Sequence, residues 1–112
     1  GGRIKAYVRQ HLRDADLSVE SMARALNCSK RHLYNAFADE PLSIAQYIWA
    51  ERVALFQREL EQAGQGHCNL TELALACGFA SGAHLSRLFK QHTGLTPSEY
   101  RARMARGTRL LN

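Results

Sequence analysis

The sequence predicts an all-α fold in which two helix-turn-helix subdomains are joined by a long linker helix, giving about seven helices. Three features of the 112-residue chain support this fold class. Apolar residues recur at helical spacing, the segment 17–47 has a second copy further along the chain, and the alternating β-branched runs typical of strands are missing. The length suffices for one domain or for two very small ones that share a connector.

The first helix is predicted over residues 3–13, where apolar side chains recur at every fourth position: Ile4, Val8 and Leu12. Ser18 is a suitable N-cap for the second helix, because its hydroxyl can accept from an unpaired backbone N–H of the first turn. Asn27 ends that helix, since asparagine tolerates the left-handed conformation found at many helix ends.

Each copy of the repeat consists of a short helix, a sharp turn and a second helix that buries two apolar residues. The paired positions are Ala23 with Ala74, Asn27 with Gly78, Ser29 with Ser81, Leu33 with Leu85, Phe37 with Phe89 and Tyr47 with Tyr100. Glycine suits the turn because it adopts positive φ without strain. This pattern is that of a helix-turn-helix unit, used twice.

A long periodic segment separates the two copies. A capping box from Ser43 to Gln46 opens a helix over residues 43–63, about 30 Å long, with an apolar stripe at Trp49, Val53, Phe56 and Leu60. Further capping boxes start at Asn69 and at Thr96, where Pro97 occupies the first helical position. The predicted organisation is a cloning remnant at 1–2, a first helix-turn-helix subdomain at 3–42, the linker helix at 43–63, a loop at 64–68, a second subdomain at 69–107 and a frayed tail at 108–112.

Composition narrows the class of protein. The hydrophobic fraction of 46% and the charged fraction of 22% are ordinary for a soluble globular protein, and the net charge of +5 favours an anionic partner. We expect no membrane span and no signal peptide, because no apolar stretch approaches the required length. Three cysteines indicate reduced thiols and a cytoplasmic location. Gly1-Gly2 without an initiator Met indicates a piece cut from a longer protein.

A helix-turn-helix binds DNA by placing its second helix in the major groove. In the first copy, burial of Leu33 and Phe37 turns Lys30, Arg31, Tyr34 and Asn35 outward. Arg31 can form two hydrogen bonds with a guanine, Asn35 can do so with an adenine, and Tyr34 can pack on a thymine methyl group or a sugar. The alternative is a solvated helix face without a partner.

The second copy turns Gly82, Ala83, Ser86 and Arg87 outward, with Lys90 one turn further on. Arg87 is its strongest base or phosphate candidate. Gly82 and Ala83 carry no polar side-chain atoms, so this copy is expected to discriminate less among bases. The candidate phosphate contacts of the whole chain are Arg24, Lys30, Arg52, His84, Lys90 and Arg101, with Arg103 and Arg106 as further candidates. For His84, a surface histidine without a partner is an equally good explanation.

Enzymatic function finds little support, and we expect no catalytic residue, cofactor or metal. Cys77 falls on a buried stripe, and Cys68 has no evident carboxylate partner for nucleophilic catalysis. His67, Cys68, Cys77 and His84 lack the paired close spacing of a structural zinc site. Two alternatives remain. The main one is a protein-interaction module that docks on polymerase or another regulator and contacts DNA only weakly. The other is an alkyl acceptor that uses Cys68.

The second copy resembles the signature of AraC/XylS-type transcription regulators, and the resemblance covers about residues 3–105. The residues that carry it are 74–81, His84, Ser86-Arg87, Phe89-Lys90, 94–97 and Tyr100-Arg101. The sequence departs from the common pattern at Asn27, which replaces a glycine, at Asn35, where many members have arginine, and at Gly82-Ala83, where polar residues are frequent.

This resemblance implies two helix-turn-helix subdomains on a linker helix, bound to double-stranded DNA. It implies base-contacting positions at Arg31, Tyr34, Asn35, Gly82, Ala83, Ser86 and Arg87. It also implies an activator whose full protein contacts RNA polymerase and carries a separate effector-binding or dimerisation domain. We expect both recognition helices to enter successive major-groove segments about 34 Å apart, on a DNA site that is asymmetric because the two copies differ.

Overall fold

The computed structural model describes the backbone of residues 2–63 and 68–111, and the side chains of 2–63 and 68–107. Within those residues the chain forms seven helices and no strand. The helices are α1 (Gly2–Gln10), α2 (Val19–Ala25), α3 (Lys30–Ala36), α4 (Ile44–Ala63), α5 (Leu70–Ala76), α6 (Gly82–Thr93) and α7 (Pro97–Leu111). The predicted all-α class with a long linker helix is confirmed. Among the described residues, no helix has both the length and the apolar character needed to cross a bilayer.

Two predicted helix ends are wrong. α1 ends at Gln10 rather than at residue 13, because the chain leaves the helix through consecutive turns; Leu12 is nevertheless buried. α7 continues to Leu111, so the backbone expected to fray from residue 108 is helical. Gly2, predicted to be a cloning remnant, is the first residue of α1. The predicted loop at 64–68 lies outside the described residues except for Cys68, and so does Gly1.

Polar caps begin the helices where the sequence predicts them. Ser18 and Asn69 cap α2 and α5, and Ser29 and Ser81 cap α3 and α6, each accepting from a backbone N–H of the first turn. Two reciprocal capping boxes start α4 and α7, formed by Ser43 with Gln46 and by Thr96 with Glu99. An N-cap contributes about 1 kcal/mol, so these side chains fix where each short helix starts.

The two copies of the repeat adopt the same local structure. The turn residues Asn27 and Gly78 have positive φ, 54° and 94°, as these two residue types predict. After each turn a backbone N–H bonds back into the first helix, from Cys28 to Ala23 at 2.9 Å and from Phe79 to Ala74 at 3.0 Å. The aromatic pairs also match: the ring centroids of Phe37 and Tyr47 lie 5.7 Å apart, and those of Phe89 and Tyr100 lie 5.5 Å apart.

Two hydrophobic clusters, one for each copy, meet along α4. The first cluster contains Leu33 and Phe37 with Ile44 and Ile48 from the start of α4. The second contains Val53, Phe56 and Leu60 from the rest of α4, together with Leu85 and Phe89. α4 is thus part of both cores, and this places the outward faces of α3 and α6 on one continuous scaffold.

Candidate nucleic-acid interface

The first recognition helix, α3, is oriented by its buried side. Leu33 and its C-cap Phe37 are 1% and 4% exposed, so the opposite face of this short helix lies in solvent. Arg31, Tyr34 and Asn35 are all exposed on that face, and the Tyr34 ring is 54% exposed. A guanidinium, a phenol and a carboxamide stand side by side there, which are groups that can hydrogen-bond base edges and pack on sugars.

Lys30 is already paired within the protein. Its Nζ lies 3.3 Å from a carboxylate oxygen of Glu20 on α2, and both side chains are more than half exposed. Such an exposed ion pair contributes little to stability, so a phosphate can replace the carboxylate at small cost. The pKa of Glu20 is lowered by backbone hydrogen bonding at the start of α2, and then by Lys30.

Gly82 is the counterpart of Lys30, and its position also faces the preceding helix. A Cβ at position 82 would lie 2.9 Å from Oγ1 of Thr71, and Thr71 occupies the position in α5 that Glu20 has in α2. The first residue of each recognition helix therefore faces the preceding helix. A side chain at position 82 would therefore point toward α5, and Gly82 stays a predicted base-contacting position only through its backbone.

The second recognition helix, α6, presents a longer exposed face than α3. Burial of Leu85 and Phe89 leaves Ala83, Ser86 and Arg87 exposed, with Lys90 exposed in the following turn. α6 has 12 residues and α3 has 7, so α6 carries basic groups further along its axis. On this exposed face, the side chains near the helix start that can hydrogen-bond a ligand are Ser86 and Arg87.

His84 belongs to an aromatic cluster rather than to an open surface. Its ring lies 4.7 Å from Trp49 and 5.7 Å from Phe79 between centroids, and its Nδ1 accepts from the backbone N–H of Ala80 at 3.2 Å. Burial lowers the pKa of His84, and the nearby Arg87 and Arg52 lower it further. The neutral ring positions the start of α6, which makes His84 a weaker phosphate candidate than the sequence suggests.

Arg52 is buried, and the prediction that it contacts phosphate is wrong. The residue is 1% exposed, its Nε donates to the carbonyl of Leu12 at 2.9 Å, and its guanidinium carbon lies 4.5 Å from the Trp49 ring centroid. The burial of Arg52 is predictable from helical spacing. Arg52 stands three residues after Trp49 and four before Phe56, on the apolar stripe of the linker helix.

The other basic candidates differ in their contacts. Arg24 is exposed in the last turn of α2. Arg101 is half-buried, and its Nη1 donates to the carbonyl of Cys68 at 2.9 Å, joining α7 to the segment before α5. Arg24 and Lys90 are therefore accessible candidate phosphate contacts, as are Lys30, Arg103 and Arg106, whereas Arg101 has a structural contact.

Cys77 is a buried thiol without access to solvent. Cys77 is 0% exposed, and burial raises the pKa of its thiol to about 11, so it is protonated at neutral pH. Within the described residues no group of three His, Cys, Asp or Glu side chains is arranged to hold a metal ion. His67, the remaining zinc candidate, lies outside those residues.

Comparison with known proteins places this arrangement among regulators. A family model described as a helix-turn-helix domain matches residues 22–103. The chain is 29% identical to the transcriptional activator NphR of Rhodococcus over 93% of its length, and 29% identical to the arabinose operon regulatory protein of Escherichia coli K12 over 86%. It spans only 30% and 32% of those relatives' own lengths.

A solved structure has the same fold. The DNA-binding domain of AdpA, a global transcriptional factor, in complex with a target DNA, superposes with a TM-score of 0.77 and 26% identity. The match covers 90% of this chain and 88% of that one.

Proposed function

The chain belongs to the AraC/XylS-type helix-turn-helix family of DNA-binding transcription regulators, and we propose that it recognises a specific double-stranded DNA site through both α3 and α6. The observation that carries this proposal is the paired exposure of Arg31, Tyr34 and Asn35 on α3 and of Ser86 and Arg87 on α6. Both sets stand on the outer faces of helices whose inner faces are fully buried.

The two helices contribute unequally. Arg31 and Asn35 can each make a two-bond contact with a purine, worth about 1–3 kcal/mol of discrimination against the wrong base. On α6, Arg87 is the single side chain with that capacity among the exposed residues near the helix start. Ser86 can contact a base or a phosphate, and Ala83 can contact a thymine methyl group. Sequence preference is therefore concentrated in the half-site bound by α3.

Phosphate contacts supply the remaining affinity. Arg24, Lys30 and Lys90 are exposed near the two recognition helices, and the chain carries a net charge of +5. Each phosphate neutralised releases counterions, which makes binding steeply dependent on salt. Lys30 would exchange its ion pair with Glu20 for a phosphate in the complex.

The dimensions of the molecule suit two contacts on one side of the duplex. The molecule measures 51 × 25 × 21 Å along its principal axes, and one turn of B-DNA advances about 34 Å. A long dimension of 51 Å exceeds that advance, as entry of two recognition helices into successive major-groove segments requires. Where their fixed orientation does not match straight DNA, the duplex bends, at a cost of order 1–6 kcal/mol.

We further propose that the full protein is a transcriptional activator. NphR is named as an activator, and this chain corresponds to 30% of its length. The additional length of such proteins would hold an effector-binding or dimerisation domain, and activation would involve contact with RNA polymerase. The DNA-binding part described here would then deliver the complex to its promoter.

The decisive experiment is selection of bound duplexes from a random DNA library, followed by competition with random duplex in a gel-shift assay. We expect one asymmetric consensus with a stronger and a weaker half about one helical turn apart. Enrichment of no sequence, together with equal competition by random duplex, would refute specific recognition. It would favour instead the alternative of a protein-interaction module with weak DNA contact.

A further inference from the structure

The guanidinium of Arg52 lies at the junction between the two helix-turn-helix units. Its Nε donates to the carbonyl of Leu12 at 2.9 Å and its Nη2 to the carbonyl of Asp14 at 2.6 Å. Both carbonyls belong to the loop between α1 and α2. The side chain thus ties the loop that leads into the first unit to the middle of the linker helix α4.

The turn of the second unit packs on the same group. A Cβ at Gly78 would lie 2.4 Å from the Leu12 carbonyl oxygen and 2.6 Å from Nε of Arg52. The backbone of this turn therefore contacts the Arg52–Leu12 hydrogen bond directly. A parallel contact joins the same segments, because Arg13 donates to the carbonyl of Ala76 at 3.3 Å and forms an ion pair with Glu59 of α4.

The contact is specific to the second copy. Asn27, the counterpart of Gly78, has the same positive φ but is exposed, so the turn conformation alone does not require glycine. Gly78 is buried, and its missing side chain leaves the space that Arg52 and Leu12 occupy. The two copies thus share a turn and differ in what lies against it.

The short connections to the recognition helices make this junction a determinant of their orientation. Three residues separate Gly78 from the first residue of α6, and Asp14 leads into α2, which is followed by α3. We propose that Arg52 is a positioning residue: by holding the Leu12–Asp14 loop and the Gly78 turn on one side of α4, it fixes α6 relative to α3. It thereby sets the spacing of the two DNA half-sites that the protein accepts. This inference rests on the proposed function.

The test compares Arg52→Met with the wild type and with Arg58→Met, which removes an exposed arginine from the same helix. The probes are the selected duplex, versions with one base pair inserted or deleted between the halves, and a duplex with only the stronger half. One inserted or deleted base pair rotates the second half-site relative to the first by about 35°, since a turn of B-DNA holds about 10–10.5 base pairs. A rigid protein must then distort the DNA or lose a contact.

We expect the wild type and Arg58→Met to lose about tenfold in affinity for the altered spacings, and Arg52→Met to lose about threefold or less. Affinity for the single half-site should be the same in all three proteins, which a general loss of structure would not produce. Arg52→Lys, which keeps the charge but not the planar pair of donors, should be intermediate. Unchanged spacing preference in both Arg52 variants would overturn the proposal.

A measurement without DNA separates this proposal from the proposed function. Residual dipolar couplings of the free protein should show one orientation of the two units in the wild type, and averaging over several orientations in Arg52→Met. Should that variant fail to fold, Arg52→Lys takes its place. A single wild-type orientation retained by a folded Arg52 variant would contradict the positioning role, whereas a wild type that selects no DNA would refute the proposed function.

Discussion

Gly78 packs directly on the buried guanidinium of Arg52, so close that a methyl group at position 78 would lie 2.6 Å from its Nε. Replacing Gly78 with alanine destabilises the folded state in two ways. The left-handed conformation costs about 1–2 kcal/mol for a residue with a side chain, and the forced repacking costs about 1–3 kcal/mol more. We expect Gly78→Ala to lower the free energy of unfolding by about 2–5 kcal/mol in chemical denaturation.

Gly94 provides the matched control for that substitution. It also has positive φ, 81°, but a Cβ there would meet no atom within 4 Å. Gly94→Ala should therefore cost only the conformational part, about 1–2 kcal/mol. Equal losses for the two variants would show that the contact with Arg52 adds nothing.

Arg31→Ala should change which DNA sequence is preferred. The exposed guanidinium on α3 is suited to a guanine, and its removal should cost about 1–3 kcal/mol of discrimination at one base pair. Selection from a random library with the variant should give a consensus that is degenerate at that position and unchanged elsewhere. The same consensus as the wild type would remove Arg31 from base recognition, and Arg58→Ala serves as the control.

Lys90→Ala should weaken binding to all duplexes by a similar factor. The exposed amine on α6 is a phosphate candidate, and each such contact adds about 0.9 to the slope of log affinity against log salt. We expect the slope to fall by about that amount, measured by fluorescence anisotropy at several salt concentrations. A slope equal to that of the wild type would place Lys90 away from the backbone of the DNA.

Acidification should destabilise the protein through His84. Its pKa in the folded state is lowered, first by burial, so the unfolded chain takes up a proton that the folded chain resists. The stabilising contribution is present above the unfolded value of about 6.5 and is lost as the pH falls through and below it. Protonation also removes the Nδ1 acceptor that Ala80 uses.

The measurement for His84 is thermal unfolding at about pH 7.5 and at about pH 5.5. His84→Gln should lose less stability between these two pH values than the wild type. His32→Gln, at the exposed counterpart on α3, is the control for replacing a histidine at this position of a recognition helix. A wild-type dependence retained in His84→Gln would show that other groups cause it.

The sequence predicts the local features of this fold well. Caps such as Ser18 and Thr96 act between neighbouring residues, and the turn residues Asn27 and Gly78 adopt the positive φ that asparagine tolerates and glycine permits. The burial of Leu33 and Phe89 follows from helical periodicity, which depends only on spacing along the chain.

Contacts between distant segments explain the errors. The sequence favours a surface position for Arg52 because arginine is rarely buried, yet the carbonyls that accept its hydrogen bonds lie 38 and 40 residues earlier in the chain. The contact of position 82 with Thr71 is likewise not predictable, because the pattern of α6 gives an exposed face and not the position of α5 beside it. In both cases tertiary packing determines the partner, and the spacing of residues along the chain carries no information about that packing.

The division of α4 between two cores has a consequence for synthesis. Ile44 and Ile48 complete the first cluster, so the first copy can bury its apolar residues when only the start of this helix has left the ribosome. Phe56 and Leu60 must wait for Leu85 and Phe89, which are translated later. The nascent chain thus carries an uncovered apolar strip in the interval, the stretch on which a chaperone would act and from which premature self-association would start.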